Sequence, residues 1–351
     1  MPDPLRAALV GAGHIARNAH LPAVHALAGA VELVAVTDAD AQRAAAFAAE
    51  HRVPRAYADL STLLDKERPD LVLVATPSAT HAAITIQCLE ADASVYCEKP
   101  LCASLAEHDA ILAAERAGGG WCVPVFQWRS GSAARHLRDL LAAGTLGPPL
   151  LALCHTLWYR GPDYYAVPWR GRRDTEIGGA TTTQGIHAID LLLWLLPDWA
   201  EVTAGIATLD RDLETETVSM AQVRFASGAL AGLVSSVLSP AERSSLRLDC
   251  RHATVQLEHL YQYDNADWTL TPAPGRPDPW APPADEPASH TTHLARTVAR
   301  LRDGSQPEDT AEDARRTVEF LTALYKSALT GAPVSRGGIG PDDPFYRSMW
   351  G

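Results

Sequence analysis

The chain has 351 residues, more than one hydrophobic core commonly serves, so two domains are expected. Its 47% hydrophobic and 21% charged residues describe an ordinary globular protein and exclude a disordered or fibrous one. A formal net charge of −12 with no long lysine or arginine run excludes non-specific nucleic-acid binding, which rests on phosphate neutralisation.

In chain order, "RAALV" (6–10), "VELVAVT" (31–37), "LVLVAT" (71–76), "SVYCE" (94–98) and "WCVPV" (121–125) are short, apolar and rich in valine. Alanine-rich amphipathic pieces such as "AQRAAAFAAEH" and "THAAITIQCLEA" lie between them. Continuous apolar strands separated by helices predict a parallel sheet covered on both faces. Ser104 and Glu107 have the spacing of a capping box, and "GGG" at 118–120 follows the end of that helix.

Past residue 125 the texture changes. A helix-like "SAARHLRDLLAAG" (132–144) leads into strand-like pieces at 150–159, 201–209, 216–226, 228–238 and 246–258. Several alternate in polarity, which predicts a largely antiparallel sheet with one covered face. The proline-rich run 271–287 reads as an exposed loop. Two helices are expected after it, the second opening at Thr310 with Asp313 three residues on and stopping at Thr330-Gly331. The expected organisation is α/β over residues 1–125, then an α+β domain over 126–351.

The six cysteines show neither a C-x-x-C pair nor zinc-finger spacing, so reduced, buried thiols and no metal are expected. No stretch has the apolar length of a membrane span and the N-terminus lacks a leader pattern, which points to a cytoplasmic protein without a membrane partner.

Residues 9–16, "LVGAGHIA", carry chemistry. Gly11 permits a tight turn, Gly13 lets backbone approach a pyrophosphate, and Ala16 is small enough for close helix–strand packing. His14 and Ile15 complete this G-x-G-x-x-A turn, whose helix N-terminus offers unpaired N–H groups to an anion. Asp38 ends the next strand, where a carboxylate accepts hydrogen bonds from the ribose hydroxyls and repels a 2′-phosphate. Arg43 is the first basic residue after it, so NAD is preferred, with NADP the alternative.

"VYCEKPLC" (95–102) puts Lys99 between Glu98 and Pro100 at the end of an apolar strand. Ligands of open parallel sheets bind beyond the carboxyl ends of the strands, so the lysine faces a ligand there. Partly desolvated, it can hydrogen-bond a carbinol or carbonyl oxygen. "GGATTTQGIHAIDLLLWLL" (178–196) adds His187, a residue type suited to accept an alcohol proton, with Asp190 three residues on and sharing its helix face. Each of these groups also has a plain structural reading. Lys99 can be a surface residue ending a strand, His187 a hydrogen-bonded core histidine, Asp190 a brace, and Asp38 the cap of the next helix.

Taken together, G-x-G-x-x-A, Thr76-Pro77, "EKP" at 98–100 and "GG…H-x-x-D" at 178–190 resemble the glucose-fructose oxidoreductase / inositol dehydrogenase / rhizopine catabolism (Gfo/Idh/MocA) family over nearly the whole chain. The resemblance implies an N-terminal Rossmann domain and a C-terminal α+β domain with a large, mostly antiparallel, open-faced sheet. Through that sheet it implies a homodimer or homotetramer. It implies reversible hydride transfer between a nicotinamide and a secondary alcohol or ketone of a sugar, polyol or sugar derivative. By motif position Lys99 is the active-site lysine and His187 the acid/base, with Asp190 beside it. Thr76, Pro77, His81, Glu98 and Gln127 fall on the cofactor side. There is one departure: inositol dehydrogenase-like members carry an aspartate four residues before the histidine, where this chain has Thr183. Threonine cannot be an anionic partner for His187, and inositol specificity is not carried over.

The substrate wall is expected in "WYRGPDYYAVPWRGRR" (158–173). Tyr159 and Trp169 would stack on sugar faces. Arg160, Arg170, Arg172 and Arg173, with Arg129, would bind hydroxyls, a carboxylate or a phosphate. A nucleotide-linked sugar and a free polyol both suit these residues. Two other classes stay open: an NAD-dependent hydrolase or eliminase with transient oxidation, and a regulator that binds dinucleotide without chemistry.

Overall fold

The computed structural model describes residues 3–258 and 261–351. The valine-rich runs of the first third form β1 (Leu5–Val10), β2 (Val31–Thr37), β4 (Leu71–Val74), β5 (Ser94–Cys97) and β6 (Cys122–Pro124). A short strand absent from the sequence reading, β3 (Arg55–Tyr57), completes a sheet of order β3-β2-β1-β4-β5-β6, parallel throughout. β4 and β5 are buried at every residue, as a sheet covered on both faces demands. This is the doubly wound dinucleotide-binding order. Register sets its functional edge: Val10 pairs with Thr37 and Val74, and Val74 pairs with Cys97. The residues that follow, Gly11, Asp38, Ala75 and Glu98, therefore leave the sheet side by side.

The helices start where short polar side chains can take orphan N–H groups. Asp40 caps Ala41–His51 through the Gln42 and Arg43 N–H groups, and Asp59 caps Leu60–Glu67, a helix the sequence reading did not name. The box at 104–107 forms with a shift of one residue. Ser104 accepts from Glu107 N–H (3.1 Å), while the Glu107 carboxylate accepts from Ala103 N–H (2.7 Å) instead of Ser104.

The chain divides into two compact units, one of residues up to Val125 with His290–Arg315, the other of Phe126–Ser289 with Arg316–Gly351. The sequence reading kept all of 126–351 together. The helix His290–Arg302 instead packs with the Rossmann unit, because Leu294 and Val298 join the core of Leu9, Phe47 and Tyr96.

The second unit is built on a sheet of eight strands: β7 (Pro149–Tyr159), β8 (Trp199–Ala207), β9 (Val218–Phe225), β10 (Leu230–Ser236), β11 (Leu238–Cys250), β12 (Ala253–Glu258), β13 (Trp268–Pro272) and β14 (Val334–Ser335). Their order is β13-β12-β11-β7-β10-β9-β8-β14, and only β7 with β10 runs parallel. The run 246–258, read as one strand, is an antiparallel hairpin of β11 and β12. The backbone of Arg251 and His252 turns away to the 146–148 segment, which breaks the strand between them. The helix Ile186–Leu195 is buried along its whole length and carries His187 and Asp190. The last long helix, Ala311–Thr330, opens as the sequence predicts. Thr310 Oγ1 accepts from Asp313 N–H (3.1 Å), and Gly331 follows at φ +69°. All six cysteines are buried and unpaired. No helix among the described residues is long and apolar enough to cross a membrane.

Candidate active site

The glycine turn has two different requirements. Gly11 has φ +97°, and a Cβ there would lie 2.6 Å from the Ala75 carbonyl oxygen, so no side chain fits. A Cβ on Gly13 would meet nothing within 4 Å. The backbone at Gly13 thus faces open space, the room a pyrophosphate needs. The helix behind the turn begins with a π-helical stretch, Ala16–His20, before Leu21–Ala26, and Ala16 is fully buried against the sheet. His14 is exposed on the turn and contacts the Asn18 amide (3.0 Å), with Ile15 half-buried beside it.

Asp38 braces this turn from the next strand. Its Oδ2 accepts from Ala12 N–H (2.8 Å) and its Oδ1 from Asp40 N–H (2.9 Å). Since Asp40 caps the following helix, Asp38 is not that helix's cap. Helical winding returns Arg43 to 3.4 Å from Asp38 Oδ1, a contact that distance along the sequence conceals. The residues fit a dinucleotide, with pyrophosphate on the turn and ribose hydroxyls on Asp38.

Lys99 follows Glu98 on the same sheet edge, and the Lys99–Pro100 peptide bond is cis. The Glu98 carboxylate is buried away from solvent. Its Oε1 accepts from His20 Nε2 (3.0 Å) and His290 Nε2 (2.9 Å), and its Oε2 from Lys99 N–H (3.3 Å). Burial pushes its carboxyl up, but the two imidazoles outweigh this and hold it well below the usual range. Three such groups could also surround a cation. However, both ring nitrogens sit at hydrogen-bond distance from one oxygen. His20 Nδ1 also lacks, among the described residues, the outer partner that orients a metal-bound imidazole. His81 is spent structurally: Nδ1 meets the Pro100 carbonyl (2.7 Å) and Nε2 the Thr76 carbonyl (2.9 Å). It ties the Thr76-Pro77 turn to the turn that carries Lys99.

In the second unit, the short turn Gln127–Arg129 meets the helix face that carries His187 and Asp190. His187 stacks on Trp128 (ring centroids 5.6 Å apart, planes at 21°) and meets the Tyr261 ring edge-on at 5.5 Å. The next residue, Arg129, grips Asp190 with two bonds, Nε to Oδ2 at 2.7 Å and Nη2 to Oδ1 at 2.5 Å, and Thr317 Oγ1 adds a third at 2.7 Å. Arg129 and Asp190, read as substrate-binding and catalytic, are thus joined in one buried ion pair that fixes the His187 helix. Gln127 is buried and donates to Tyr261 Oη (3.4 Å), while its Oε1 has no partner among the described residues.

The segment 158–173 is an interleaved stack. Arg160 lies over Trp158 and Tyr164 at 4.8 and 5.4 Å, and Arg170 lies over Tyr164 and Trp169 at 3.8 and 4.4 Å. The arginines are also engaged by acceptors: Arg160 by Glu242 (3.3 Å), Arg172 by Asp174 (3.1 Å), and Arg173 by the Glu214 carbonyl (2.9 Å). Tyr159 is exposed at the end of β7. Sequence reasoning missed Glu176, although it stands one residue ahead of the apolar-glycine run "IGG". Its carboxylate is buried, accepts from Gly171 N–H (2.5 Å), and lies 3.3 Å from Thr183 Oγ1 and 3.5 Å from Arg170 Nη1. Burial pushes this carboxyl up despite those donors.

A sheet of this order with this turn defines a dinucleotide-binding domain. The model for the oxidoreductase family with an NAD-binding Rossmann fold matches residues 5–124, and that for the GFO/IDH/MocA C-terminal domain matches 134–256. The chain belongs to the GFO/IDH/MocA oxidoreductase family and is an NAD-dependent dehydrogenase or reductase. It is 28% identical to D-apiose dehydrogenase of Paraburkholderia graminis over a 363-residue alignment, covering 98% of this chain and 92% of that one. It is 27% identical to 1,5-anhydro-D-fructose reductase of Ensifer adhaerens over 326 residues, covering 92% and 96%. The solved WlbA dehydrogenase from Bordetella pertussis, in complex with NADH and UDP-GlcNAcA, superposes at TM-score 0.85 and 26% identity, covering 95% of this chain and 98% of that one.

Proposed function

We propose that the chain interconverts a secondary alcohol and a ketone on an uncharged carbohydrate, with Lys99 and His187 handling the alcohol proton. The observation that supports this best is the row of Gly11, Asp38 and Lys99 along one sheet edge, where a cofactor and a reacting carbinol are expected together. NAD bound on the turn supplies the two-electron acceptor. In oxidation His187 has the role of accepting the hydroxyl proton, and Lys99 that of a hydrogen-bond donor that stabilises developing negative charge. In reduction the same groups have the reverse roles. An uncharged carbohydrate is favoured because Arg160, Arg172 and Arg173 are already committed to acceptors within their own unit. The sheet's open face, with exposed Leu151, Met220 and Leu230, supports a homo-oligomer, and six buried thiols suit a reducing cytoplasm.

The test is Lys99→Ala. Turnover should fall about 10²-fold or more, the range for losing a group that acts on the transferred proton, with NADH affinity within about threefold of the parent. Turnover equal to the parent's would remove Lys99 from the chemistry.

A further inference from the structure

We infer that Glu176 supplies an active-site carboxylate where this chain has Thr183, four residues ahead of His187, and acts on His187 through Thr183. This rests on the assignment of His187 as the acid/base. Four observations, all within the second unit, carry it. Glu176 is 2% exposed, so its carboxylate is shielded from bulk solvent. One oxygen takes the Gly171 N–H, which a loop latch would already explain. The other oxygen faces both the Arg170 guanidinium at 3.5 Å and Thr183 Oγ1 at 3.3 Å, and Thr183 stands four residues ahead of His187. Finally, the backbone behind it is forced. Ile177, a β-branched residue, sits at φ +75° with its carbonyl taken by Trp350 Nε1 (2.6 Å). A left-handed conformation there is strained and persists only where the surroundings over-determine it. The glycines that follow are equally fixed, since a Cβ on Gly178 would meet Tyr325 Oη at 2.2 Å and one on Gly179 the Glu216 carbonyl at 1.9 Å.

Thr183 can relay either state of the acid. Its Oγ1 is also 3.2 Å from the Gly178 carbonyl. With Glu176 ionised, the threonine donates to the carboxylate. With Glu176 protonated, the acid donates to Oγ1 and the threonine turns its proton to Gly178. No bond is made or broken beyond these proton positions. The charged and titratable groups facing Glu176 are Arg170, Tyr164, Tyr165 and Glu216, and those around the His187 helix are Tyr261 and the Arg129–Asp190 pair. Glu216 is occupied by Gly179 N–H, Thr181 N–H and Tyr325 Oη, each at 2.9 Å, so it is a fixed part of the scaffold. An anion at 176 favours the imidazolium that His187 becomes in oxidation, in a medium where charges are weakly screened.

The experiment follows the His187 ring by NMR titration of the NAD-bound full chain, with His187→Gln to assign the signal. Glu176→Gln and Thr183→Val should each lower the His187 titration point by about half a unit or more, since the first removes the anion and the second removes a donor that favours the ionised carboxylate. Thr183→Val leaves the carboxylate and its Gly171 bond in place, so it decides the matter if Glu176→Gln fails to fold. In turnover, the acid limb of kcat/KM should move the same way. Thr183→Asp alone should lose activity about tenfold, because two adjacent carboxyls cannot both ionise, and Glu176→Gln/Thr183→Asp should recover to within about threefold of the parent. A His187 titration unmoved by Thr183→Val, or a double variant no better than Thr183→Asp, overturns the inference. Absence of any turnover in the parent would count against the dehydrogenase reading and leave the NMR result to judge Glu176.

Discussion

Asp38 shows how one side chain carries two duties. Its carboxylate holds the Ala12 N–H and so shapes the phosphate turn, and it occupies the end of β2 where ribose hydroxyls are expected. NADH should therefore bind at least about tenfold more tightly than NADPH. Asp38→Ser should narrow that gap by freeing Arg43, now 3.4 Å from the carboxylate, to meet a 2′-phosphate. Competitive binding of the two dinucleotides checks this, and a parent that prefers NADPH would contradict it. The place of Asp38 at the end of β2 was legible because the apolar run before it marks a buried strand. Arg129 and Asp190 were not. Both types suit a sugar hydroxyl equally well, and only the fold shows that they face each other. Glu176 left still less trace, since its partner Thr183 is identified by a backbone turn and not by a spacing rule.

At the scale of elements, strands and helices of the Rossmann half were readable because buried parallel strands demand continuous apolar runs. β2 and the helix Ala41–His51 fall where the sequence put them. The β11–β12 hairpin was hidden because its turn, Arg251-His252, has neither glycine nor asparagine to mark it. The glycine turn separates folding from binding within one element. Gly11→Ala must push a methyl to 2.6 Å from the Ala75 carbonyl at φ +97°, which should cost about 2 kcal/mol or more and lower Tm by several degrees. Gly13→Ala meets no protein atom within 4 Å and should leave Tm unchanged while weakening NAD binding about tenfold or more. Thermal unfolding beside NAD titration distinguishes the two. Equal effects of both variants on Tm would contradict the separation.

For the whole molecule, three of the histidines buried in the Rossmann unit, His20, His81 and His108, have their protonation pushed by burial below the ordinary value of 6.5 despite their hydrogen bonds. The unfolded chain protonates them near 6.5 and the folded chain at lower pH. Between those values unfolding takes up protons, so stability is full above 6.5 and declines as pH falls. Each adds a slope of up to about 1.4 kcal/mol per pH unit in that window. Glu98 extends the loss to more acid conditions. Held well below 4.5, it stabilises the fold above that pH and ceases to as pH falls through its folded value. Tm should be level from about pH 8 to 7 and fall steadily from 6.5 to 5, less steeply in His108→Gln. A Tm level down to pH 5 would show that these imidazoles are not held neutral.

The central claim is that the chain transfers electrons between a carbohydrate carbinol and a bound nicotinamide. The most direct measurement is nicotinamide absorbance of the purified enzyme with NAD and a panel of polyols, aldoses and sugar acids, and with NADH and the matching ketones. NADH should form with at least one uncharged carbohydrate, one ketone per NADH. No change in either direction, from enzyme that still binds NADH, would contradict it.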